Sequence, residues 1–246
     1  MKTLKPFIIL LFAAAFVLNG YQVERIAFHR HEADFPAYLA GAYGLRNGTN
    51  PYTPTAIAPY SSSDIRPFIY PLFIAWLWVP FTFVPAIVAS FVWYVLSFAM
   101  MLYAIYVCTE LVGITNGEHR WIIFGIVGIL FASVFQWVLM FGQMDFFELL
   151  LLVLAAKYLV QRNSVGGAFL GAAISAKLMP IVVLPMVLRN WKARAFSAGT
   201  ILLLCIIVPY LIAGDAIFGY YNYWFHTTLG GEMAMGDGSV HSFALA

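Results

Sequence analysis

The feature that most constrains the fold is a long stretch without charge. From Phe68 to Thr109 the chain contains no Asp, Glu, Lys or Arg. As one helix this stretch would be about 63 Å long, roughly twice the hydrocarbon core of a bilayer. Prolines at positions 71, 80 and 85 interrupt its first half. The stretch therefore predicts at least two helical membrane elements, because a backbone in lipid must satisfy its own hydrogen bonds.

Composition supports a membrane protein throughout. The 246 residues are 63% hydrophobic and 10% charged, whereas soluble domains carry about 25% charged residues. We therefore expect an all-α, polytopic transmembrane bundle of about seven membrane segments. The net charge of +2 gives no reason to expect nucleic-acid binding. Cys108 and Cys205 both lie in apolar runs, which favours buried free thiols.

Other apolar runs predict the remaining segments, and two topologies are open. The runs are Phe7–Asn19, Trp121–Met144, Phe146–Val160, Val165–Leu188 and Ala195–Gly214. In the first topology every segment crosses, which gives seven crossings and puts Asp145 inside. In the second, Pro71–Pro85 does not cross and Val165–Leu188 is a broken, re-entrant pair around Lys177. The second arrangement, which we favour, puts Asp145 outside and near Asp34.

The chain is predicted to be a single domain, residues 1–246, with two outer regions. Basic residues at Arg189–Arg194 and near the N-terminus favour the cytoplasmic side. This leaves residues 22–67 as a large first extracytoplasmic loop and residues 215–246 as an extracytoplasmic tail. Within the loop, apolar spacing from Asp34 to Leu45 predicts a short amphipathic helix on the membrane surface, with Asp34 as its N-cap. Asn47-Gly48 is expected to end this helix.

The first loop carries the residue types of a reactive site. Asp34 is expected to lie under an aromatic surface, where the pKa of a carboxyl group rises toward that of a general base. The alternative role for Asp34 is only to cap the helix. Glu32 is a possible substrate contact or a solvated neighbour. Arg66 can pair with phosphate oxygens of a substrate or with anionic lipid headgroups.

Charged residues within the apolar segments are the second signal. A lysine in mid-span costs about 2.5–3.5 kcal/mol, so Lys177 should face a cavity or a partner. That partner is a phosphate, Asp145 or Glu148. The alternative is a structural role, in which the lysine side chain snorkels from a short helix to the membrane interface. Gln143 and Asp145 follow a glycine at a segment boundary, where they either cap the next helix or line a polar site. In the tail, His226 is a candidate acceptor-site residue.

Several stretches in order resemble one family. They are Asp34-Phe35-x-x-Tyr38 with Asn50-Pro51-Tyr52, Ile69-Tyr70-Pro71-Leu72-Phe73, Phe141-Gly142-Gln143, Ala176-Lys177-Leu178-Met179-Pro180 and Trp191-Lys192-Ala193-Arg194. Together they resemble glycosyltransferase family 87 of the GT-C superfamily, the membrane mannosyltransferases that use polyprenyl-phosphate mannose. The resemblance covers roughly Phe7 to Arg194 and, more loosely, the tail. That family continues past the length of this chain, so we expect a C-terminally shortened member.

The resemblance implies an inverting transfer on the outer face of the inner (plasma) membrane, in the cell envelope. Asp34 would be the catalytic base, and Glu32, Arg66, Tyr70, Gln143, Asp145, Lys177 and His226 would bind substrate. The partners would be a polyprenyl-phosphate sugar, a lipid or glycan acceptor and membrane lipids, with no nucleic acid. Neither a cofactor nor a metal ion is implied, and the chain has no Gly-rich phosphate motif.

Two other functions fit the same residues. A transporter or lipid flippase would use Lys177, Asp145 and Glu148 as a midplane site, with the proline-broken segments as discontinuous helices. A non-catalytic subunit or pseudoenzyme is the third possibility. Against transport, the sequence shows no internal repeat, and transport gives no reason for an outer loop rich in aromatic and ionisable residues.

Overall fold

A computed structural model describes residues 4–21, 23–24, 33–53, 60, 65–187 and 189–229. These residues fold into α-helices joined by short turns, and none of them belongs to a β-strand. The helices are α1 Leu4–Asn19, α2 Asp34–Arg46, α3 Leu72–Trp78, α4 Ala86–Leu111, α5 Gly117–Leu130, α6 Ala132–Phe141, α7 Asp145–Val160, α8 Gly166–Ala176, α9 Trp191–Leu202, α10 Val208–Ala213 and α11 Ala216–Trp224. The predicted all-α class is thus confirmed for the described residues.

Four short segments of the described chain are helical but not α-helical. Val79–Phe83 and Met179–Val187 are 3₁₀-helical, and Leu203–Ile207 and Phe225–Leu229 are π-helical. The first π-helical segment joins α9 to α10, so Trp191–Ala213 forms one continuous helical rod.

Among the residues that the structure describes, two helices are long and apolar enough to cross a bilayer. They are α4 and the rod Trp191–Ala213, and a third span results if α5 and α6 count as one. Many large apolar side chains on these helices are exposed, as expected for a surface in contact with lipid. The chain therefore has the character of a membrane protein, whereas the predicted count of seven segments is not confirmed.

Two predicted segments differ in shape from a simple crossing. Trp121–Met144 was expected to be one span, but α5 and α6 meet at Phe131 with a bend of 67°. Val165–Leu188 is broken at Lys177, whose backbone is extended at φ −149° and ψ 135° between α8 and the following 3₁₀ helix. The apolar helical segment Leu72–Phe83 is shorter than the roughly 20 residues of a span. The break at Lys177 is one feature of the second predicted topology, whereas the number of crossings and the side on which Asp145 lies stay predictions.

Helix α2 has nearly the predicted bounds but a different environment. It begins at Asp34 and ends at Arg46, and Gly48 follows in the left-handed conformation at φ 70°. The prediction of one apolar face was wrong, because side chains on all sides of α2 are buried. The prediction of a capping role for Asp34 was also wrong. Ala33 occupies the N-cap position, and Asp34 is the first helical residue.

Helices α8 and α9 pack with their backbones close together. A Cβ atom added at Gly167 would lie 2.0 Å from the carbonyl oxygen of Ala193, and one at Gly171 would lie 2.5 Å from that of Ser197. This is the close packing that the small-xxx-small spacing of these glycines predicts. It fixes the position of the C-terminal end of α8, where Lys177 follows.

We predict that Gly167→Ala lowers the thermal midpoint of the purified protein in detergent. The added methyl group would overlap backbone atoms that cannot move aside, and such overpacking costs about 1–3 kcal/mol. Gly199→Ala on α9 is the matched control, since a Cβ there meets no atom within 4 Å. An equal midpoint for both variants would contradict the packing described here.

Candidate functional site

Asp34 lies at the centre of a polar cluster built from separate parts of the chain. It is the first residue of α2 and is partly buried. The Gln143 side-chain amide is close enough to its carboxylate to lower the pKa of that group as a hydrogen-bond donor. Arg66, Asp145 and Lys177 are close enough to act on it electrostatically. Residues far apart in sequence therefore converge on one carboxyl group.

A glycine turn places Gln143 and Asp145. Gly142 has φ 64° and ψ 30°, the left-handed conformation that ends α6 and redirects the chain into α7. The Trp93 indole on α4 donates a hydrogen bond of 2.9 Å to the Gly142 carbonyl oxygen. Trp93 is 5% exposed, so this bond lies within the helical core. The turn is thus anchored to α4 directly beside Asp34.

Lys177 joins the end of α8 to the start of α7. Its Nζ lies 2.7 Å from Oδ1 of Asp145 and 3.8 Å from Oε2 of Glu148. The Lys177 and Asp145 side chains are 34% and 37% exposed. Water therefore reaches this ion pair, and its value for stability is modest. The cation stays accessible to an anionic ligand entering the cluster.

The loop before α3 contributes Arg66 and Tyr70. Arg66 is exposed, and Tyr70 is half-buried with its ring centroid 5.0 Å from that of Tyr38. Burial, and then the nearby Asp34 carboxylate, raise the pKa of Tyr70 to about 12. Tyr70 is therefore a hydrogen-bond donor at any physiological pH. The loop is fixed from the other side by the Trp224 indole, which donates to the Ile69 carbonyl oxygen at 2.9 Å.

Burial dominates the acidity of Asp34. Desolvation raises the pKa of this carboxyl group above its usual value. The hydrogen bond from Gln143 and the Arg66 cation lower it, Asp145 raises it, and Lys177 lowers it. The net result is a raised pKa, as the sequence predicted. A carboxylate of this kind accepts a proton more readily than a solvated one.

The structure brings together most of the predicted site residues. Those gathered around Asp34 are Arg66, Tyr70, Gln143, Asp145 and Lys177. His226 is exposed in the π-helical turn after α11, with its ring against Phe225, and no described contact links it to Asp34. Glu32 lies outside the described residues. No group of three or more His, Cys, Asp or Glu side chains suited to a metal ion occurs in the described part of the chain.

Trp93 and Tyr38 were not identified as residues of this site from the sequence. Trp93 gave no signal, because a tryptophan in an apolar run looks like any other core residue. Tyr38 did give one: it follows Asp34 by four positions, a spacing that puts both residues on one face of a helix.

Comparison with known proteins identifies the family. The family model for glycosyltransferase family 87 matches residues 68–243, which is more than half of the chain. The chain belongs to glycosyltransferase family 87. It is therefore a glycosyltransferase, with a sugar donor and an acceptor as its substrates. No curated protein and no solved structure matches it.

The region matched by the family model includes only part of the candidate site. Tyr70, Gln143, Asp145 and Lys177 lie within residues 68–243, whereas Asp34 and Arg66 precede them. The match also covers the region beyond Arg194, where the resemblance seen in the sequence was looser. Family membership favours the glycosyltransferase interpretation of the Lys177 cluster over a transporter.

We predict that Trp93→Phe destabilises this family 87 glycosyltransferase, because the Gly142 turn loses its hydrogen bond to α4. The change leaves the buried Gly142 carbonyl without its donor, which costs about 1–3 kcal/mol. Thermal unfolding in detergent measures the loss. Trp191→Phe is the control, because Trp191 is 66% exposed. If both tryptophan variants unfold at the wild-type midpoint, the bond to Gly142 does not hold the turn.

Proposed function

We propose that the chain transfers a hexose, mannose by analogy with the family it resembles, from a polyprenyl-phosphate sugar to a lipid or glycan acceptor. In this proposal the reaction inverts the anomeric centre and takes place on the extracytoplasmic face of the plasma membrane. The observation that supports it best is the Asp34 cluster. It combines one carboxyl group of raised pKa with two cations, Arg66 and Lys177.

The proposed reaction is a single displacement. An acceptor hydroxyl loses its proton to the Asp34 carboxylate as its oxygen attacks the anomeric carbon. The bond from that carbon to the phosphate oxygen breaks, and polyprenyl phosphate leaves with the electron pair. Because the phosphate is already a good leaving group, the protein mainly has to position it and neutralise its charge.

The residues around Asp34 supply these roles. Gln143 holds the carboxylate by its hydrogen bond, so that the second carboxylate oxygen can face the acceptor. Lys177 is held beside Asp145 and Glu148 when no anion is bound and can turn its ammonium group to the phosphate. Arg66 is the exposed second cation. Glu32 and His226 stay predictions as substrate contacts.

The direct test measures sugar transfer from labelled polyprenyl-phosphate mannose in membranes that express the chain. We expect Asp34→Asn to abolish transfer while the protein accumulates normally, because the amide cannot accept the acceptor proton. Asp215→Asn is the control, since the same chemical change is made at an exposed aspartate. Undiminished transfer by Asp34→Asn would exclude Asp34 as the base.

Lys177→Met is expected to weaken the use of the donor and to shift the pH profile. Without the ammonium group the phosphate charge is less well neutralised, so KM for the donor rises. Lys177 lowers the pKa of Asp34, so its removal raises that pKa further. Because Asp34 works as a base only when ionised, transfer falls as pH falls through its pKa. The acid limb of the profile therefore moves to higher pH.

Lys157→Met is the matched control for this variant. Lys157 also forms an ion pair with a 2.7 Å contact, to Glu110, but it is not among the groups that act on Asp34. It should leave both the donor KM and the acid limb at their wild-type values. If Lys177→Met leaves both the KM for the donor and the acid limb of the pH profile unchanged, Lys177 has only a structural role.

A further inference from the structure

A buried tyrosine beside Asp34 carries an unexplained hydroxyl group. Tyr38 is 0% exposed, and its hydroxyl has no partner at normal hydrogen-bonding distance in the described part of the chain. Most buried polar groups in proteins are paired, so such a group calls for an explanation. Tyr38 follows Asp34 by four residues on α2, which puts it over the same helix face.

Aromatic packing fixes the Tyr38 ring. Its centroid lies 4.8 Å from that of Trp78, and Trp78 lies 4.6 Å from Trp93, the residue that anchors the Gly142 turn. Phe35 contacts Trp78 from another side at 5.3 Å. Because this cluster is close-packed, the Tyr38 hydroxyl cannot turn out to solvent.

Tyr70 is the neighbour that offers the Tyr38 hydroxyl a partner. The two rings are 5.0 Å apart, and the Tyr70 hydroxyl is close enough to act on that of Tyr38. Unlike Tyr38, Tyr70 is only half-buried, and it also interacts with Asp34, Lys177 and Asp145. Tyr70 is therefore close to both the proposed general base and the cation, and a sugar bound at the site would lie near it.

We propose that Tyr38 is a positioning residue for glycosyl transfer, and that it acts through Tyr70. With the donor bound, the Tyr38 O–H donates to the hydroxyl oxygen of Tyr70. The Tyr70 O–H is then directed at a hydroxyl oxygen of the transferred sugar. This inference rests on the proposed function. It gives the buried Tyr38 hydroxyl a partner in Tyr70, and hydrogen bonds of an active site tighten when substrate binds.

Because Tyr38 is enclosed, its hydroxyl must be the first donor in the proposed series of hydrogen bonds, and the Tyr70 hydroxyl must be the one that contacts the sugar. The Tyr38 oxygen is not reached by solvent, so a substrate cannot contact it directly. Tyr70 borders the site and can contact both Tyr38 and a ligand. Its oxygen accepts from Tyr38, and its own proton remains for the sugar. Tyr38 thus influences recognition of the sugar and not of the lipid phosphate.

The experiment compares Tyr38→Phe, Tyr70→Phe, the double variant and Tyr52→Phe. Tyr52 is the matched control, because its hydroxyl is also fully buried and without a partner among the described residues. Steady-state transfer is measured with polyprenyl-phosphate mannose. Binding of the same donor and of polyprenyl phosphate is measured by thermal shift in the Asp34→Asn background, where no turnover occurs.

We expect kcat/KM to fall about tenfold in Tyr38→Phe and in Tyr70→Phe, and no further in the double variant, because both act through one hydrogen-bonded chain. Tyr52→Phe should match the wild type. Binding of the mannose lipid should weaken in Tyr38→Phe, while binding of polyprenyl phosphate stays unchanged. The thermal midpoints of Tyr38→Phe and Tyr52→Phe should agree, which separates positioning from stability.

Three results would overturn the inference: wild-type kinetics in Tyr38→Phe, additive losses in the double variant, or equal weakening of binding for both lipids. If Asp34→Asn abolishes transfer while Tyr38→Phe transfers normally, only the role of Tyr38 fails. If the wild-type chain neither transfers mannose nor binds the mannose lipid better than polyprenyl phosphate, the proposed function fails and the inference with it.

Discussion

The ion pair between Lys177 and Asp145 is the interaction on which the site depends. A lysine in an apolar segment must find a partner or a polar cavity, and here it finds a carboxylate 2.7 Å away. The pair links the broken end of α8 to the first residue of α7. Because Gln143 lies two residues before Asp145, the same link holds the amide that binds Asp34. The need to pair the Lys177 charge therefore helps to hold the end of α8, the start of α7 and the first residue of α2 together.

A continuous aromatic path gives this polar cluster its rigidity. Tyr38, Trp78 and Trp93 are in successive ring contact, and the Trp93 indole ends the path at the Gly142 carbonyl. One end of the path lies on α2, which begins with Asp34, and the other lies at the turn between α6 and α7 that carries Gln143. Polar groups that must be held to within about half an ångström benefit from such packed support. The carboxylate and its hydrogen-bond donor are thus held by one apolar framework.

The sequence was informative where a local pattern has one physical solution. The uncharged run predicted membrane helices, and the charge of Lys177 predicted its acidic partners. The environment of α2 was not predictable in this way. Its apolar residues fit a surface helix, and only the tertiary fold shows that Phe68 and Trp78 also cover its other sides. The role of Tyr38 required knowing which loop lies against it, and local spacing does not contain that information.

The order of the charged residues along the chain has a consequence for biogenesis. Asp145 leaves the ribosome before Lys177, at the N-terminal end of a helix, where the helix dipole stabilises a carboxylate without any partner. When α8 enters the membrane, the partner of its lysine is already in place. The lysine therefore enters the membrane after the segment that carries its partner has been synthesised. Exchanging the two residues would reverse this order and penalise insertion even if the finished ion pair were equally stable.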